Sequence, residues 1–211
     1  MSKGLAWKFV LGSLLIAACA PEAEPPEPVE LETEEVAAAP LECSPMVDMM
    51  PLEGRVSPYD STRFTVNDHE GLVCYGRPSA RGRTMIGGEH VPYGELWRTG
   101  ANEPTILHLA FPAAVAGIEV DPGSYSLYTI PGPEEWTVIL NRSITQWGSE
   151  GAYTGEIEAQ EVARATVPAG RLDEHVETFT ITAEPVGPGA SKLILEWESY
   201  RIEVPVEKQA G

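Results

Sequence analysis

The sequence predicts an all-β domain, a single β-sandwich or jelly-roll-like barrel, set behind an export signal and an acidic tether. Two observations carry the fold class. From about residue 53 onward, apolar residues recur in short runs with a period of two, the repeat of a strand with one buried face. Gly and Pro punctuate these runs at close intervals, and no long stretch has the apolar spacing of an amphipathic helix. Ten or so short strands in roughly 150 residues is the signature of a sandwich or barrel.

Arg63-Phe64-Thr65-Val66 and Leu72-Val73-Cys74-Tyr75 read as the first strands, joined by the turn-rich Asn67-Asp68-His69-Glu70-Gly71. Thr105 to Phe111 alternates again. Ser124 to Ile130 combines strict alternation with high β propensity, and Pro131-Gly132-Pro133 turns it toward Trp136-Thr137-Val138-Ile139-Leu140, a predicted hairpin. Four further runs follow, Glu161 to Val167, Glu177 to Ala183, Lys192 to Glu198 and Arg201 to Val206. Gln146 to Gly155 reads as a short helical turn or an irregular loop.

The N-terminus points to a compartment. Lys3 and Lys8 precede an apolar run from Phe9 to Ala18, long enough for a signal peptide and too short to span a bilayer. It ends in Leu15-Ile16-Ala17-Ala18-Cys19, a lipobox-like sequence whose cysteine takes diacylglycerol before cleavage. The expected organisation is a signal peptide over 1–18, a lipidated Cys19 opening a disordered acidic linker over 19–52, and the β domain over 53–208. The lipid makes the membrane the first expected partner, and Ala20, rather than Asp, after the cysteine favours the outer membrane, with the domain facing the periplasm or cell surface.

Charge narrows the remaining partners. Residues 1–18 carry +2 and residues 20–52 carry −9, so residues 53–211 hold −11 of the total −18. A domain this acidic is repelled by phosphate backbones, which argues against nucleic acid. Of the three cysteines, Cys19 is claimed by lipid, leaving Cys43 and Cys74 as a possible disulfide in an oxidising compartment.

Against that acidic background, Arg77, Arg81, Arg83 and Arg98 cluster within 22 positions. An arginine fork matches carboxylate and phosphate groups, so one reading makes Arg77, Arg83 and Arg98 a pocket for an anionic or sugar ligand. In it Trp97 supplies a flat apolar wall, and Asn102 and Glu103 give direction. The competing reading pairs the same arginines with Glu89, Glu95 and Glu103, tying loops onto the sandwich. Trp136 and Trp197 fit the core, whereas Trp97 and Trp147 lie in Gly-containing loops. His69, His90, His108 and His175 lack metal-ligand spacing, and His108 shares a strand face with Ile106 and Ala110. There is no Gly-x-Ser-x-Gly elbow and no phosphate loop.

The same stretch carries a family resemblance. Tyr75-Gly76-Arg77-Pro78-Ser79, Gly82-Arg83, Val91-Pro92-Tyr93-Gly94, Trp97-Arg98-Thr99-Gly100-Ala101-Asn102-Glu103 and Gly123-Ser124-Tyr125-Ser126-Leu127 through Ile130-Pro131 resemble the domain-of-unknown-function family 2911. Trp136 to Ile139, Gln146-Trp147-Gly148 and Leu195-Glu196-Trp197-Glu198 extend the likeness over about Ser57 to Val206. The resemblance implies an exported bacterial protein and brings no activity, cofactor or catalytic residue with it. Cys74 departs from the family pattern. Three roles follow as expectations: a binding or interaction module, an enzyme on carbohydrate or envelope polymer using Glu103, and a structural envelope lipoprotein.

Overall fold

The computed structural model describes residues 40–209, and Cys19 with the rest of the expected signal and early tether lies outside them. Nine antiparallel strands form one continuous sheet: β1 (Tyr59–Val66), β2 (His69–Gly76), β3 (Thr105–Leu109), β4 (Ala113–Val115), β5 (Ile118–Val120), β6 (Gly123–Ile130), β7 (Glu135–Asn141), β8 (Glu161–Gly187) and β9 (Ala190–Lys208). Their order is β1-β2-β3-β6-β7-β8-β9-β4-β5. The sheet doubles over at β8, whose first residues pair with β7 and whose remainder pairs with β9. The all-β expectation holds, and the two layers share one strand.

Residues facing inward from both layers form a single core. Val73, Tyr75, Leu107, Leu127 and Val138 come from one side, Phe179, Ile181, Leu193, Leu195 and Val204 from the other. Tyr75 crosses the gap, its hydroxyl accepting from Ile181 N at 2.8 Å and donating to Ile181 O at 3.2 Å. Burial holds its phenol above the ordinary tyrosine range, against the opposing pull of the hydrogen bond to Ile181.

Each pair of late runs is one strand. Bulges between Arg171 and Val176 and between Val176 and Thr180 let β8 bend between the layers without ending. In β9, Leu193, Leu195 and Trp197 face the core, then Tyr200, Ile202 and Val204 do, because Glu198 at φ +52° inserts a phase change. An interrupted alternation reads as two strands in the sequence and is one bulged strand in space. The Asn67-Asp68 turn is tighter than expected. Both residues have positive φ, the geometry of a two-residue hairpin, so His69, Glu70 and Gly71 belong to β2. Gly71 sits in the strand because the ring of Phe64, its cross-strand partner, occupies the space a Cβ would need.

The outer face of the first layer is also covered. Leu72, Cys74, Ile106 and Ile139 point away from the main core and are buried nonetheless. Residues 142–160, with the short helix α1 (Gly155–Glu158), cover one part through Ser126 Oγ to Ser143 O at 2.7 Å and Asn141 Nδ2 to Ile157 O at 2.6 Å. Near Cys74 the chain is held at Cys43, bonded to it with a Cα separation of 5.8 Å. Met46 N donates to Glu103 Oε1 at 2.8 Å. The folded body thus begins near residue 41, upstream of the boundary expected at residue 53. The end of the acidic linker is a fixed strap, because a covalent bond and a buried carboxylate offset the entropy that its composition alone could not.

The bond closes a chain separation of 31 residues. Cys43→Ser should cost about 3.7 kcal/mol by loop entropy and lower the melting temperature by several degrees. A melt indifferent to both the substitution and added reductant would show the strap to be held by other contacts.

Candidate functional site

The segment between β2 and β3, residues 77–104, carries the predicted site residues, and its anchor is Trp97. Trp97 N donates to Thr129 O at 2.8 Å and Thr129 N to Trp97 O at 2.9 Å, adding one ladder rung beside β6. The indole stacks on Trp197 at 5.6 Å and meets Phe179 and Trp136 edge-on at 5.1 and 6.0 Å. Its exposure is 3%, so it is a core residue and not an open wall for a sugar. Trp136 and Trp197 are buried as expected.

Past Trp97 the chain turns back through two non-glycine residues of positive φ, Thr99 at +57° and Asn102 at +67°. For a β-branched residue this conformation is strained. Buried hydrogen bonds hold it: Thr99 Oγ1 donates to Thr129 Oγ1 at 3.0 Å, and Thr99 O accepts from Thr105 Oγ1 at 2.6 Å. The turn delivers Glu103 to the underside of the strap. There Glu103 Oε2 receives Arg55 Nη1 at 2.8 Å, with side-chain exposures of 2% and 1%. Arg55 also donates to the carbonyls of Pro51 and Met50. Glu103 is therefore the strap's clasp, both oxygens engaged, and is not placed to act on a substrate. Arg55 escaped sequence reasoning because it stands alone at the edge of the acidic linker.

The predicted arginines divide. Arg77 points across the layers, with Nη1 on Asp60 at 2.9 Å and Nη2 on Thr180 Oγ1 at 3.0 Å. Arg83 and Arg98 instead line one cavity of about 200 Å³ with His90, Met85 and Val91, floored by Trp97 and Trp197. Arg83 donates to Ala80 O at 2.9 Å, to Ser79 O at 3.1 Å and to His90 Nε2 at 3.3 Å, none of them a carboxylate. Arg98 reaches Glu150 at 3.5 Å through one nitrogen, while its Nε is buried and meets no acceptor among the described residues. Asn102 lies apart, its Nδ2 on Ser57 O at 3.2 Å under the strap. The pairings expected with Glu89, Glu95 and Glu103 are replaced by Asp60, Glu150 and backbone carbonyls, since bulges and turns set partners that sequence proximity cannot.

The loop that frames this cavity is clamped from β9. Glu198 Oε1 accepts from Met85 N at 3.0 Å and Oε2 from Ile86 N at 2.7 Å, aimed there by the bulge that its own positive φ creates. Nothing in the sequence marks Glu198 among so many acids.

His108 is on the outer face of β3, beneath the strap, and not in the core. It lines a cavity of about 260 Å³ with Ser44, Met46, Tyr59 and Ile106, and its Nδ1 pairs with Ser124 Oγ at 2.7 Å. Burial pushes its pKa below the ordinary histidine range. Among the described residues no group of three or more His, Cys, Asp or Glu is arranged to hold a metal ion. Nor is any helix long and apolar enough to cross a membrane.

The family described as "Protein of unknown function (DUF2911)" matches residues 57–206. Neither a curated protein nor a solved structure matches the chain.

Two outcomes test this geometry. Glu103→Gln leaves Arg55 buried without its counter-charge and should cost about 3 kcal/mol, with faster amide exchange over residues 41–56. Unchanged exchange there would deny Glu103 its clasping role. For His108, the unfolded chain takes up its proton first as pH falls through about 6.5. Its contribution is therefore present above that pH and lost below it, so His108→Asn should flatten the fall in melting temperature between about pH 7 and pH 5. A decline as steep as in the native chain would exclude it.

Proposed function

Because the chain belongs to the DUF2911 family, whose members share a domain without an assigned activity, we propose a role read from its own residues. It is an envelope lipoprotein whose β-sandwich binds a small anionic group, a carboxylate or phosphate carried on a larger ligand, between Arg83 and Arg98. The observation that carries this reading is the buried Nε of Arg98, a charged donor that meets no acceptor among the described residues, in a cavity shared with a second arginine that meets no carboxylate among them. A buried unmet donor on a charged group costs on the order of 1–3 kcal/mol, and a shift of the partly exposed Arg98 side chain toward an anion in the cavity recovers it.

Size restricts what enters. A cavity of about 200 Å³ is smaller than those that enclose whole drug-sized ligands, which begin near roughly 300 Å³. It accommodates a charged head group while the rest of the ligand stays outside. Glu150, the carboxylate that Arg98 reaches, is 44% exposed and can give way to a better placed anion. The enzymatic alternative loses its named residue, since Glu103 is occupied by Arg55 and Met46.

Lipidation at Cys19 supports the address, through the apolar run and the small residues before the cysteine. The Cys43–Cys74 bond is in keeping with an oxidising compartment. With residues 20–39 fully extended, the domain could stand at most about 70 Å from its lipid.

The anion reading is tested by thermal shift of the lipidated chain in detergent, with inorganic phosphate and glucuronate as probes. Near a hundredfold excess over Kd the native chain gains about 2.7 kcal/mol. Arg98→Gln should abolish the response and Arg77→Gln should keep it. An equal response in all three chains sinks the cavity as the site. The address is tested by labelling with palmitate: Cys19→Ser should remove the label and release the chain from the membrane fraction, and retention of both would refute the anchor.

A further inference from the structure

Tyr93 is the one large aromatic that stands exposed among the described residues, at 42%. Its position is nevertheless fixed. Gly87, at φ +76°, leaves the space against which the ring rests, which any Cβ there would fill. The Tyr93 hydroxyl is hydrogen-bonded to that of Tyr200. Gly94 N, the next amide, donates to Pro131 O at 2.9 Å. Tyr200 in turn lies under the Arg171 guanidinium at 3.6 Å, and Arg171 Nη2 donates to Pro133 O at 3.3 Å. One arginine thus stitches the support of Tyr93 to the turn that faces it.

Between Tyr93 and that turn lies an open groove of about 580 Å³. Its far wall is the β6–β7 connection with the start of β7, Pro131 to Thr137, which brings Glu134, Glu135 and Thr137 to the groove. Among the described residues no arginine, lysine or histidine lines it. A locked aromatic face in water costs little ordering entropy on binding, and it favours a ligand with one apolar side and several hydroxyls. The two lining carboxylates accept hydroxyl protons and disfavour anions, while Arg171 at the same turn is engaged with Tyr200 and the Pro133 carbonyl. Its volume lies within the usual range for ligand sites.

We propose that this groove binds a neutral pyranose unit of a glycan, stacked on Tyr93, its hydroxyls donating to Glu134 and Glu135. The sugar platform that the sequence suggested at Trp97 belongs four positions earlier, on the residue that the fold leaves open. The site is separate from the Arg83–Arg98 cavity and disfavours the anions proposed for that cavity.

The test uses the full lipidated chain in a non-glycosidic detergent, titrated calorimetrically with maltotetraose, cellotetraose and chitotetraose. The native chain binds at least one in the millimolar range or tighter. Tyr93→Ala weakens that binding about tenfold, while Tyr93→Phe, which keeps the ring face, stays within about threefold. Glu135→Lys, a surface change that leaves the ring in place, also weakens it by fivefold or more. The phosphate response of the arginine cavity is unaltered in all of them, which separates loss of this site from loss of the fold or of the other site. Failure of all three glycans to bind the native chain overturns the proposal, as does binding that Tyr93→Ala leaves unchanged.

Discussion

The arrangement depends on the burial of one side chain. Trp97 ends a loop yet packs like a strand residue, stacked on Trp197 and wedged against Trp136 and Phe179. Truncating a buried tryptophan typically costs about 3–5 kcal/mol, a large share of a small domain's net stability. With that indole in place the residues on either side have fixed positions. Arg98 is left at the edge of the aromatic cluster, Thr99 is forced into a left-handed turn, and Glu103 is carried under the strap. The loop upstream is closed from the other side by Glu198, so a segment of nearly thirty residues without a strand of its own is held as firmly as the sheet.

Two kinds of charged residue emerge from this frame. Arg77 and Glu103 spend their hydrogen-bonding capacity on the protein, as ties between layers and between strap and loop. Arg83 is held by backbone carbonyls and His90 and meets no carboxylate among the described residues, Arg98 leaves its Nε unmet there, and the two border the same hollow. Sequence proximity grouped all four. The distinction is made by strand direction, since Arg77 leaves the end of β2 toward the second layer while the other two lie beyond turns on the near side. A buried ion pair such as Arg55–Glu103 contributes modestly to stability and strongly to specificity of arrangement, because misplacing either charge is costly.

The sequence made the fold class legible because alternation and Gly/Pro punctuation are local signals. It made β1, β2, β3, β6 and β7 legible for the same reason, and missed β4 and β5, which at three residues each are too short to alternate. It divided β8 and β9 because bulges break the period that defines a strand. The arginine cluster was visible as a contrast of charge. Its partners were not, since Asp60 and Glu150 come from other elements and are indistinguishable from the surface acids around them. Tyr93 lay within the motif but was silent there, because rigidity comes from Gly87, Tyr200 and Arg171 acting together.

The strap has a mechanical consequence. Any pull along the chain from its N-terminal side reaches Cys43 and passes at once into Cys74, in a strand flanked by two neighbours. The load is shared by the ladders on both sides of β2 and bypasses the edge strand β1, which is the first to peel when a sheet is drawn from its rim. A body held by its middle in this way can be tugged, dragged or swung without its hollows changing shape.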